Sequence, residues 1–122
     1  MRRIALSLAL AGSALFLATP ASAASFDCSR ARAADEVAVC GNAALSALDS
    51  EMGGLWYAFS RVPMLMGGAG DRGGDAQTFL TRRRACGRNV ACLTSLYRAR
   101  IRQLHEGIDT YMDEYTRLVH GN

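Results

Sequence analysis

Four cysteines in two near pairs, Cys28 with Cys40 and Cys86 with Cys92, constrain this chain more than any other feature. In an oxidising compartment, an even cysteine count in a short chain implies disulfides. Three connectivities are possible, and the local one, Cys28–Cys40 with Cys86–Cys92, is favoured. That pairing dictates turns. Six residues of straight helix rise about 9 Å, whereas a disulfide needs Cα atoms within about 7 Å. Cys86 and Cys92 therefore cannot bond inside one straight helix, and Gly87-Arg88-Asn89 must form a turn. Cys28 must lie in a non-helical lead-in that folds back towards Cys40. A bridge closing a loop of that size stabilises by about 3 kcal/mol in the chain-entropy model, a large term for a domain with a small core. Zinc is the weaker reading, since no C-x2-C knuckle is present. C-x5-C also lacks the tight spacing of a redox motif.

The start of the chain supplies the oxidising context. Met1-Arg2-Arg3 is a short positive region, Ile4 to Ala18 is an apolar run, and Ala21-Ser22-Ala23 is a small-x-small cleavage site. This is the pattern of a secretory signal peptide over residues 1–23. The run is too short for a membrane anchor, which needs about 20 apolar residues. Ser25-Phe26-Asp27 before Cys28 is not the small apolar box of a lipoprotein. The expected mature protein is residues 24–122, periplasmic or secreted, with no transmembrane segment after cleavage.

Apolar spacing then sets the fold class. Ala31 to Cys40 has helix-forming composition, with Gly41 as a stop and Asn42 as the next N-cap. Leu45, Leu48, Met52, Leu55, Phe59 and Val62 recur at helical steps, and Pro63 ends the run. Gly53 and Gly54 weaken that helix, or let a neighbour come close. Met64 to Asp75 holds five glycines without a period and reads as a flexible loop. It lacks the strand and lysine of a phosphate-binding loop. Asp75 is expected to cap a short third helix ending at Cys86. Leu93, Tyr97, Ile101, Leu104, Ile108, Tyr111, Tyr115 and Leu118 form the longest in-phase stripe, with Gly107 as its weak link. No segment alternates with period two. The expected fold is a small all-α helical domain with two long amphipathic helices, two short helices and two disulfides.

Little in the sequence points to catalysis. The chain has no lysine, no nucleophile motif and no metal-ligand set, and His105 and His120 are its two histidines. Glu106, Asp109 and Asp113 share a helix face by their spacing, which reads as a solvated stripe before it reads as an acid/base pair. No enzyme activity, cofactor or metal is implied. Charge says more. The formal charge of +3 includes Arg2 and Arg3, so the mature domain is too near neutral for a nucleic-acid binder. It is nonetheless polarised. Seven arginines (82, 83, 84, 88, 98, 100 and 102) lie between Ala76 and His105 without an acid, while residues 24–51 carry five acids against two arginines. Internal pairing explains such a split, and so does an anion-binding or partner surface over residues 82–102.

The assembled pattern resembles the LprI-like lysozyme inhibitor domain family. Phe26-Asp27-Cys28, then Cys40, then Ala44-Leu45-Ser46-Ala47-Leu48-Asp49 are similar to that family's opening. Leu80, Arg83 and Cys86, then Cys92-Leu93, Tyr97, Arg100-Ile101 and Leu104, are similar to its ending. The resemblance covers about residues 26–104. It departs from the family at Phe79, where a tryptophan is usual, and in the glycine-rich segment 67–74. The resemblance implies an exported, non-enzymatic helical domain that protects peptidoglycan by occluding the cleft of c-type lysozyme or another peptidoglycan-cleaving enzyme. It assigns no contact residues. From charge, Asp49, Glu51, Glu106, Asp109 and Asp113 are candidates for contact with a basic enzyme. Arg82, Arg83 and Arg84 are candidates for the alternative, an envelope module binding an anionic polymer or a partner protein.

Overall fold

A computed structural model describes residues 24–64 and 68–121. The signal-peptide reading of residues 1–23 lies outside this range. A 3-10 turn at Cys28–Arg30 leads into four helices: α1 (Ala34–Gly41), α2 (Ala43–Phe59), α3 (Gly68–Cys86) and α4 (Val90–His120). No strand occurs among the described residues. The all-α reading holds, with both disulfides in local pairing. Cys28 bonds to Cys40 with Cα atoms 5.7 Å apart, and Cys86 to Cys92 with Cα atoms 5.6 Å apart.

The turns follow their residue chemistry. Gly87 takes a left-handed φ of 54° between the bonded cysteines, a conformation open to glycine without a Cβ penalty. Asn89 then caps α4, its side chain accepting the Cys92 N–H at 3.0 Å. Asn42 caps α2 in the same way through the Leu45 N–H at 3.1 Å. At α1 it is Glu36 that closes the start, accepting the N–H groups of Arg32 and Ala33.

The core follows the apolar stripes. α2 and α4 make the most extensive contact. Val39, Leu45, Phe79, Leu93 and Tyr97 fill the half near the disulfides. Phe59, Val62 and Leu104 fill the other half. Two glycines permit close approaches here. A Cβ on Gly107 would lie 2.9 Å from the Phe59 ring, and one on Gly53 would lie 2.7 Å from Ser25 Cβ. Gly107, a weak link by propensity, is thus the notch that seats Phe59.

Two expectations need correction. The segment 64–75 is not a loop throughout, because α3 begins at Gly68 and includes four of its five glycines. Asp75 is therefore inside α3 rather than at its cap. Tertiary contact outweighs the poor propensity of glycine. Arg72 donates to the carbonyls of Phe59 at 2.7 Å and Val62 at 3.2 Å, satisfying acceptors at the end of α2. A Cβ on Gly68 would lie 3.3 Å from the Tyr111 hydroxyl and 3.4 Å from Met64 Cβ. In addition, α2 ends at Phe59 rather than at Pro63. Residues 60–62 form a turn, with Ser60 and Arg61 donating back to Trp56 and Ala58.

Candidate functional site

Two regions carry unusual side chains, and they differ in burial. The first is an interior network spanning every helix. Asp49, fully buried on α2, accepts the Tyr97 hydroxyl at 2.7 Å. Its other oxygen accepts the backbone N–H and the hydroxyl of Ser25, each at 2.6 Å. Arg83 Nε donates to Asp35 at 2.7 Å, and its two terminal nitrogens face Glu36 at 3.8 Å and Asp49 at 3.9 Å. Phe26 lies over the same guanidinium, 5.3 Å away. Gly53 is what lets Ser25 approach α2 closely enough to reach Asp49.

Electrostatics follow from this enclosure. Burial, then the bond to Asp49, pushes the Tyr97 hydroxyl well above the ordinary phenol value, so it stays a proton donor. Burial pulls Arg83 down, but its contacts with Tyr97 and Asp35 outweigh that and leave it raised. Each buried polar atom of these side chains has a partner. A satisfied set of this kind fixes geometry. Breaking one member leaves an uncompensated buried charge.

This places the residues read from sequence. Asp49 and Arg83, read as surface contacts, are interior instead, because each is held by partners on other helices. Glu51, Arg82 and Arg84 are exposed, as are Glu106, Asp109 and Asp113 on α4. His105 and His120 are also exposed. Among the described residues no group of histidine, cysteine or carboxylate side chains is arranged to hold a metal ion.

The second region is the end of α4. Thirty-one residues make this helix roughly 46 Å long. α2, with 17 residues, is roughly 25 Å. The stripe of α4 is buried at Leu93, Tyr97, Ile101 and Leu104 and half-buried at Ile108 and Tyr111. Beyond that no helix among the described residues covers it. Tyr115 is 44% exposed and Leu118 65%, with Met112 and Val119 exposed beside them. Tyr111, Tyr115 and Leu118 line a shallow groove of about 220 Å³ with Pro63, Met64 and Glu114. Four acids (Glu106, Asp109, Asp113 and Glu114) and one arginine, Arg117, occur between residues 106 and 120. The sequence stripe merges this segment with the core. The telling signal is a mismatch, since α4 carries eight in-phase positions and α2 five, with Val62 in the turn after it.

Comparisons with protein-family models, with curated proteins and with solved structures found no match to this chain. Among the described residues no helix is long and apolar enough to cross a membrane.

Proposed function

We propose that this protein is an exported, non-enzymatic binder of a basic peptidoglycan-cleaving enzyme, acting as an inhibitor of c-type lysozyme in the periplasm or outside the cell. Residues 1–23 are its signal peptide in this reading. The observation that carries it is the uncovered end of α4, where an apolar stripe with two tyrosines is bordered by carboxylates. Tyrosine and other large apolar side chains supply most of the energy at protein interfaces. Acidic groups around them favour a basic partner and speed its approach. Glu106, Asp109 and Asp113 supply that charge. Lysozymes of the c-type are generally basic, and a protruding helix has the width to enter a substrate cleft. Inhibition then needs no bond made or broken, only occupancy. The interior network and the disulfides hold the bundle rigid behind the helix. This reading also rests on the family resemblance.

The test is a titration of the purified, oxidised protein against c-type lysozyme acting on cell-wall substrate. Saturable inhibition that weakens with ionic strength is expected. Absence of inhibition at micromolar protein, with both disulfides verified, removes the inhibitor assignment.

A further inference from the structure

The arginines of residues 82–102 do not behave alike. Arg83 is interior and paired with carboxylates. Arg100 is equally buried, 5% exposed, yet among the described residues no carboxylate lies within ion-pair distance. Its side chain donates to Gln103 Oε1 at 2.8 Å. The rings of Trp56 and Phe79 lie 5.8 and 6.0 Å from its guanidinium. A buried guanidinium without a counter-ion is costly. Burial indeed pulls its pKa down, with Asp75 opposing the shift from a distance.

The open side of Arg100 faces a cavity of about 250 Å³ between α3 and α4. Asp75, Thr78 and Arg82 line it from α3, one helical turn apart in succession. Phe79, Leu96 and Ala99 form an apolar wall. Gln103 donates its amide to Asp75 at 3.1 Å while accepting from Arg100, which orients both charged groups. The volume of this half-open cavity is below the roughly 300 Å³ at which sites for drug-sized ligands begin, so it suits one anionic group on a compact body. Two guanidiniums against one carboxylate leave a single positive charge. That balance fits a monoanion, and Asp75 opposes a doubly charged phosphate. A planar guanidinium matches a carboxylate in bidentate geometry.

We infer that the α3–α4 cavity is a carboxylate-binding site in which Arg100 and Arg82 hold the oxyanion, Thr78 adds a hydroxyl, and Phe79, Leu96 and Ala99 receive a small apolar substituent. This site is separate from the end of α4 and does not depend on the lysozyme reading.

The probe is N-acetylalanine, with its neutral amide and inorganic phosphate as companions, followed by side-chain N–H resonances of Arg100 and Gln103 in the full oxidised protein. Saturable shifts are expected with the free acid and none with the amide. Arg82→Ala is expected to weaken binding about tenfold, the scale of one charge-assisted hydrogen bond. Asp75→Asn is expected to tighten it about fivefold, by removing one like charge. Both positions are exposed, so neither variant threatens the fold as Arg100→Met would. Four results each overturn the site: equal shifts with acid and amide, phosphate binding as tight as the acid, no saturation up to about 0.1 M ligand, or unchanged affinity in both variants.

Discussion

At the disulfide end of the bundle, α2 and α3 pack on α4 while α1 packs on α2 and α3, and charged side chains there are buried and matched. Asp35, Asp49, Arg83 and Tyr97 each have a partner within 2.7 Å. At the other end the same helix continues past its neighbours, and apolar side chains there face solvent. The bundle thus places polar groups inside at one end and apolar groups outside at the other, each against the ordinary preference. The buried polar groups are tolerated because several helices converge to satisfy them. The exposed apolar groups find no such cover among the described residues. Substitutions at the first end should therefore change stability. Substitutions at the second should change binding.

The largest effect is expected at Asp49. Asp49→Ala strands Tyr97, Ser25 and one face of Arg83, and should cost about 3–5 kcal/mol in denaturant unfolding. Tyr97→Phe, which keeps the ring, should cost about 1–3 kcal/mol. If both variants melt like the parent, the network does not hold the bundle. Next is the lead-in disulfide. Replacing Cys28 and Cys40 by serine should lower stability by about 3 kcal/mol, measurable by the same titration.

The boundary between the two ends lies where Phe59 meets α4. Gly107→Ala gains helix propensity but drives a Cβ to 2.9 Å from that ring. Overpacking costs about 1–3 kcal/mol, against about 1 kcal/mol gained, so a net loss is expected. Gly54→Ala meets nothing within 4 Å and should stabilise by up to about 1 kcal/mol. Opposite signs for these two glycines in thermal melts would sharpen the distinction, and a gain at Gly107 would erase it.

A smaller effect concerns pH. Glu36 is held below its ordinary value of 4.5, first by the Arg32 N–H and then by that of Ala33. The unfolded chain then binds more protons as pH falls through 4.5, so this share of stability is present above that value. It is lost as pH drops through the folded one. The carboxylate is partly exposed, which keeps the share small. Glu36→Gln should flatten the acid limb of a stability-against-pH curve by lowering stability slightly at neutral pH, with little change at the acid end.

The cysteine spacing and the apolar stripes make helices, turns and pairing legible in the amino-acid sequence. Gly87-Arg88-Asn89 has to turn because a helix is too long between Cys86 and Cys92. The helical start of α3 is not legible, because its support is Arg72 reaching the carbonyls of α2, a contact with no local signature. The network is half legible. The charge split between residues 24–51 and 76–105 points to internal pairing, but not to Asp49 and Arg83 as the interior members. Several residues of the family resemblance, Asp49, Arg83, Tyr97 and Arg100, prove to be buried. Asp49, Arg83 and Tyr97 belong to the frame, whereas Arg100 lines the α3–α4 cavity. Tyr115 and Leu118 read as core because a stripe reports periodicity and not the length of the partner helix.

The central claim is that the disulfide end supplies stability and the uncovered end of α4 supplies recognition. Its most direct test compares the parent with Tyr115→Ser/Leu118→Ser in one experiment, measuring thermal unfolding and inhibition of c-type lysozyme on the same samples. Stability within about 0.5 kcal/mol of the parent is expected for such exposed positions. Inhibition is expected to fall by at least about tenfold with loss of two central apolar contacts. Inhibition equal to that of the parent, with the fold intact, would contradict the account.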